Sequence, residues 1–487
     1  VPVPDEGRLP IPGVGWIALF LAGVTFAFFF AIPTFPSYDG YYSLLWAREI
    51  AAGSLPVFET PAAPTEHPLA ILIGLLTLPL GDGAERAYVL VGLLSFAALA
   101  AAIYALGAEL FNRTVGVLAA LIVLTRFDLA ALAVRGFVDI PFLALVIWSA
   151  VFVAREPRRV QPVVFVLLTI AGLLRPEAWL FAGVYWLYCA RMLDWPGRLR
   201  YALVVGIAPL VWLGVDWIVT GNPLYSLTAT RELAAELERN RGFFSVLFDL
   251  PVLIARTVKM SVLLAGLAGI GLGLYCWRER MYVPLATAAV GLGTFLTTTA
   301  LGLAVNLRYL STVSVIVCLG AGLALGGWTV PSVRGRGLAI GVAVLAAALL
   351  VARLPSLYDS YEIERDKVLY VDSQHDKLVA VLEAGGARGE LERCGAMTVP
   401  SHQNVPVVRY LVDAEAAQVT ASSYQQTQPT RGLVLTANVP LADVNPGPGG
   451  RDNWWATRVT DDFELLAENA AWRLYAKDCG VGARSAG

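Results

Sequence analysis

The chain has 487 residues, 57% of them hydrophobic and only 15% charged. A soluble globular protein carries about 25% charged residues, so most of this chain is solvated by lipid. Its formal net charge of −2 gives no reason to invoke nucleic acid.

The first apolar run begins at Val14, and no small-residue cleavage site follows it. It reads as an uncleaved membrane span rather than a signal peptide. A bilayer core needs roughly 20 apolar residues per helix. Full-length candidates are 14–33, 86–110, 201–220, 256–277, 282–305, 309–328 and 336–353. Shorter apolar pieces are 68–80, 115–125, 127–138, 140–154, 162–174 and 178–190. Together they predict 11 to 13 crossings, depending on whether 68–80 or part of 115–138 is re-entrant.

Arginine clusters set the sides. Arg155, Arg158 and Arg159 mark one inner turn, and Arg191, Arg198 and Arg200 another. Arg278 with Arg280, and Arg334 with Arg336, mark two more. The stretch 160–190 then starts and ends inside and must cross twice, turning at "LLRPEAW". Alternation puts Asp39, Glu66, His67, Asp139, Arg175, Arg308 and the loop 221–255 outside, with the N-terminus cytoplasmic. The protein is expected in the cell membrane.

From Leu354 the chain turns polar, and no later run is long enough to span. The expectation is a membrane domain over 1–353 and a soluble, extracytoplasmic α/β or α+β domain over 354–487. Helices are predicted at 374–385 and 404–412, and strands at 417–423, 432–438, 463–469 and 470–477. The last two read as a hairpin turning at Asn469 and Ala470. The Gly/Pro-rich loop 442–455 carries two Trp residues that could touch a partner. Cys394 and Cys479 lie in this region and are compatible with one disulfide if it faces an oxidising compartment. Cys189, Cys276 and Cys318 read as packing residues.

The first outer loop, 34–67, holds "SYDGYYSLLWAREI". Tyr42, Leu45, Trp46 and Ile50 share a helical face, as expected of a helix lying flat at the lipid headgroups. Asp39 just precedes it: Ser37 or Asp39 would cap the helix, and Asp39 could, without excluding that, be a general base, with Tyr41 and Tyr42 beside it. Glu66 and His67 lead into Pro68. With Asp39 they could hold a divalent cation such as Mg, Mn or Ca. Arg135 and Asp139, four apart, could pair on one helical turn, yet ionisable residues at membrane depth default to a functional role. Arg135, Arg175 and Arg308 on the outer side break the positive-inside trend. They ask for an anion such as a lipid phosphate, which a guanidinium can fork onto.

The order of these features resembles the GT-C superfamily of membrane glycosyltransferases. Its branch of protein mannosyltransferases, aminoarabinose transferases and actinobacterial cell-wall mannosyl- or arabinosyltransferases is the nearest likeness. The resemblance covers 14 to about 190: Asp39 in the first loop, "EHPL" at 66–69, "GDGAERAYVLVGLL" at 81–94, "RGFVDIPF" around Asp139, and "LLRPEAW". The segments "NPLYS" and "LRYL" match more weakly. Mannosyltransferases of the branch commonly follow the Asp with Glu; here Gly40 follows Asp39.

The resemblance implies a GT-C fold. It also implies an inverting transfer of a sugar from polyprenyl phosphate to an acceptor hydroxyl of a cell-envelope glycan, glycolipid or protein. Asp39 would be the base. Arg175 and Arg308 would hold the lipid phosphate, and Glu66, His67, Arg135, Asp139, Glu177, Tyr41 and Tyr42 the substrates. The competing class is a transporter or flippase for lipid-linked sugars, which would favour internal repeats; none is evident.

Overall fold

A computed structural model describes residues 13–60, 62–236, 241–331, 333–438 and 456–479. The tryptophan-bearing loop 442–455 lies outside them. The chain divides into two compact units that interleave in sequence. The first comprises Val1–Ile32, Val89–Gly214 and Asn240–Glu362, and the second Pro33–Tyr88, Val215–Arg239 and Ile363–Gly487.

Nearly all of the first unit is helix. Its elements are α1 (Val14–Ala31), most of α4 (Ala84–Leu110), α5 (Arg113–Leu124), α6 (Phe127–Val134), α7 (Asp139–Arg155), α8 (Pro162–Leu174) and α9 (Glu177–Cys189). There follow most of α10 (Trp195–Thr220), α12 (Phe243–Val258), α13 (Met260–Trp277), α14 (Tyr282–Ala300), α15 (Ser311–Gly326), α16 (Arg336–Ala352) and the start of α17 (Leu354–Ala384). The apolar, almost wholly buried α15 is the core helix. It packs on α5 and α13 through glycines, a close backbone approach typical of membrane helices. A Cβ on Gly269 would overlap the Gly320 carbonyl oxygen.

Five helical runs are long and apolar enough to cross a membrane, or up to seven if each of two bent pairs is one span. Two of the five, Pro68–Leu110 and Met260–Ala300, have 43 and 41 residues. Each contains a 3₁₀ break, at Leu78–Gly83 and Arg278–Met281. α8 and α9, with 13 residues each, rise roughly 20 Å against a core of about 30 Å. The 11 to 13 crossings expected thus count helices too short to span alone. The predicted span 256–277 is really two helices broken at Lys259, whose φ is 70°. The piece 115–138 is bent by 63° between α5 and α6.

In the second unit, α2 (Tyr38–Ala51), α3 (Pro68–Thr77) and α11 (Tyr225–Glu236) join the rest of α17, α18 (Ala387–Cys394), α19 (Val405–Val412) and the short α20 (Ser422–Gln425). The sheet is built from β1 (Met397–Val399), β2 (Val419–Ala421), β3 (Gly432–Ala437), β4 (Glu464–Glu468) and β5 (Trp472–Lys477), in the order β2-β1-β3-β5-β4. β1 runs parallel to β2 and β3, and β5 antiparallel to β3 and β4. All four predicted strands are present, and β4–β5 is the expected hairpin. The three-residue β1 adds a strand to the four expected. Leu378, Val381 and Leu382 of α17, Val408 of α19 and Trp472 of β5 share one core. Cys394 and Cys479 form a disulfide between the end of α18 and the residues just after β5.

Candidate functional site

The first unit gathers four of the sequence-predicted residues. Pro176 stops α8, because a residue before proline is driven to extended backbone, and Arg175 has φ −150° and ψ 130°. The same proline caps α9, with Glu177 in its first turn. Gly136, at φ 64°, turns the chain between α6 and α7. Arg135 and Asp139 therefore do not share a helical turn, contrary to one reading of their spacing. Arg135 instead closes α6, half-buried.

Asp139 opens α7 and accepts from two arginines. One carboxylate oxygen takes Nη1 of Arg175; the other takes Nη1 of Arg308 at 3.4 Å. Arg175 also forks onto Glu177, Nε to Oε2 at 3.3 Å and Nη2 to Oε1 at 2.6 Å. Its guanidinium lies 4.6 Å from the ring centre of Tyr309. These residues, with Phe142, Leu143, Thr294 and Thr312, line a small pocket. Arg175, Asp139 and Glu177 are nearly buried, while Arg308 is a quarter exposed. Among the described residues two cations face two carboxylates here. Buried charge of this kind persists only when paired and hydrogen-bonded.

The second unit holds the rest. Ser37 caps α2 by accepting from the Gly40 amide at 3.3 Å. Asp39, half-exposed, is therefore in the first turn and not the cap. Residues 40–47 of the helix are all buried in protein, so its aromatic face is not left open to lipid headgroups. The Tyr41 hydroxyl meets His375 Nε2 at 2.9 Å. Glu49 pairs with buried Arg409 at 2.9 Å, and Arg48 with Asp413 at 2.7 Å. Tyr42, fully buried against Trp46 and Tyr38, packs the core and cannot line an open substrate site; burial pushes its phenol pKa up. Gly40 has a steric reason: a Cβ there would sit 3.0 Å from Pro36 Cβ and 3.1 Å from Tyr88 Cε1.

Glu66 lies in the loop before α3, and His67 is that helix's cap residue, followed by Pro68 at the first position. Glu66, 2% exposed, accepts from the Ser226 hydroxyl. Asp216 is also buried; its Oδ1 is 2.7 Å from the same hydroxyl, and its Oδ2 takes the Ser226 amide at 2.9 Å. One hydroxyl proton cannot serve both carboxylates, so a second proton must be held there. Glu66 is its natural holder: burial first, then Asp216, pushes its carboxyl well above the ordinary range. Among the described residues no three His, Cys, Asp or Glu side chains converge as metal ligands. The cation set of Asp39, Glu66 and His67 is thus not assembled in this structure. Asp216 was missed in the sequence, though a lone acid in "WLGVDWIV" was a readable signal.

No protein-family profile matches the chain, and no curated protein is significantly similar to it. Its fold is similar to that of a crystal structure of ArnT from Cupriavidus metallidurans bound to undecaprenyl phosphate, with a TM-score of 0.53. Identity is 14%, over 95% of this chain and 98% of that one. The apo oligosaccharyltransferase of Archaeoglobus fulgidus is more distant: TM-score 0.48, 13% identity, 87% of this chain and 69% of that one. That second likeness is too weak to carry weight. The chain is thus a multi-pass helical membrane protein with an ArnT-like fold and a small C-terminal sheet domain.

Proposed function

We propose that this protein is a membrane glycosyltransferase. It moves a sugar from a polyprenyl-phosphate donor to a hydroxyl of a cell-envelope glycan, glycolipid or protein, on the outer face of the membrane. The observation that carries this reading is Asp39: a partly exposed carboxylate just ahead of the buried stretch 40–47, on a helix that Ser37 already caps. The fold shared with a protein crystallised with undecaprenyl phosphate supports the donor class. The disulfide supports an oxidising, extracytoplasmic side for the sheet domain.

In this scheme Asp39 takes the acceptor's hydroxyl proton as its oxygen attacks the anomeric carbon. The bond from that carbon to the phosphate oxygen breaks, and the lipid phosphate leaves with the electron pair. Attack opposite the leaving group inverts the centre. General-base help of this kind contributes ~10²–10⁴-fold. Asp139 and Glu177 offer acceptors for sugar hydroxyls, with Glu66, His67 and Arg135 as further substrate contacts; Tyr41, buried like Tyr42, serves packing instead. Arg175 and Arg308 offset charge developing on the leaving group.

The test is transfer by the purified chain from a panel of labelled polyprenyl-phosphate sugars. Asp39→Asn should lower turnover by about 10²-fold or more at unchanged expression and donor binding. Near wild-type turnover in that variant sinks the assignment of the base. Movement of donor across vesicles without transfer would identify a flippase instead.

A further inference from the structure

Two of the chain's three histidines, His375 and His402, meet the turn of the second unit that carries Asp39. His375 lies on α17. Its ring stacks on Phe35, with 4.2 Å between centres and 19° between planes. Its Nε2 meets the Tyr41 hydroxyl at 2.9 Å. Phe35 comes just before the cap Ser37, and Tyr41 just after Asp39. One imidazole thus grips the chain on both sides of the carboxylate. His402, 6% exposed, opens the 3₁₀ turn that leads into α19 and meets the Tyr38 ring edge-on at 5.7 Å.

Further along α2 the hold is ionic. Arg48 donates to the Tyr410 carbonyl at 3.2 Å and pairs with Asp413 at 2.7 Å, and Glu49 pairs with Arg409 at 2.9 Å. At roughly 3.6 residues per turn, Tyr38, Tyr41, Arg48 and Glu49 fall along one side of α2. Asp39 lies about a third of a turn away from that side. Holding one side fixes the rotation of the helix, and with it the direction in which Asp39 points. The ion pairs are enough to dock α2 on α19. They do not account for a histidine on α17 at its first turn. A phenylalanine there could stack on Phe35 equally well, but only a side chain with a polar atom at the Nε2 position can bond Tyr41.

We propose that His375 is a positioning residue for Asp39, so that the C-terminal residues of the chain aim the base of the reaction. This rests on the glycosyltransferase reading. A general base works only within hydrogen-bond reach of the proton that it takes, and a misplacement of about 1 Å can cost on the order of 10²-fold in rate. The bond to Tyr41 and the stack on Phe35 restrain the turn from both ends, as a preorganised site requires.

The experiment uses the purified full chain in detergent, with the polyprenyl-phosphate sugar that wild type transfers best. His375→Phe keeps the stack and loses the hydrogen bond. It should lower kcat by about ten-fold or more at unchanged donor and acceptor KM. His375→Gln, whose amide can reach Tyr41, should stay close to wild type. Hydrogen exchange read by mass spectrometry should quicken at the amides of residues 40–43 in His375→Phe, and not over α19. Wild-type kcat in His375→Phe overturns the proposal. So does an equal loss in both variants with faster exchange throughout α19 and the sheet, which would make the histidine a packing residue only. A raised acceptor KM at unchanged kcat overturns it too, as the mark of a substrate contact. Exchange needs no turnover: unchanged exchange at 40–43 in His375→Phe overturns this proposal alone, whereas a wild type that transfers no sugar overturns the glycosyltransferase reading.

Discussion

Glu66 and Asp216 compete for one serine hydroxyl, and the proton that settles the contest titrates. The Glu66 carboxyl is raised above its unfolded value near 4.5 by burial and by Asp216, so the folded chain holds a proton that the unfolded chain has released. Stability is greatest below the unfolded value and falls as pH rises towards the raised one. Glu66→Gln, which cannot ionise, should flatten that part of the profile; melting curves from pH 4 upward check it. An unchanged slope would place the proton elsewhere. Gly40 belongs to this scale too. The family comparison invites a Glu there, but Pro36 and Tyr88 leave no room for a side chain without moving.

At the scale of elements, helix contacts distinguish glycines that look alike in sequence. Gly269 and Gly271 are two apart on α13. A Cβ at Gly269 would meet the Gly320 carbonyl of α15, while one at Gly271 meets nothing within 4 Å. Gly269→Val should therefore cost about 1–3 kcal/mol or more, seen as a lower melting temperature in detergent. Gly271→Ala should be neutral or slightly stabilising, since alanine is the better helix former. Elements also show why a stripe is ambiguous. Tyr42, Leu45 and Trp46 form the apolar face expected of an interfacial helix, yet they are covered by protein. Spacing reports that a face is apolar and says nothing of what covers it.

For the molecule as a whole, the division into units cuts across the order of the chain. The segment 33–88 packs with the C-terminal residues, through contacts such as Tyr41–His375 and Arg409–Glu49 across more than 300 positions. The disulfide closes an 85-residue separation inside that unit. Its loss should destabilise the second unit by about 2–4 kcal/mol, chiefly by freeing the unfolded chain. Melting the intact protein with and without reductant, against Cys479→Ser, measures this; equal curves would make the bond dispensable.

The sequence by itself determined what is local. Apolar run length marked most of the helices from Val14 to Ala352, but not α11 and α12, which lie in the stretch 221–255 read as a loop; Pro176 marked the break that presents Arg175, and short runs bounded by turn residues marked four of the five strands. It also named Asp139, Arg175, Glu177 and Arg308. Tertiary structure alone decided that these four share one pocket and that Asp216 faces Glu66. The reason is physical. Capping, turns and periodicity act over a few residues, whereas ion pairing joins positions 36 and 169 apart and depends on how helices pack.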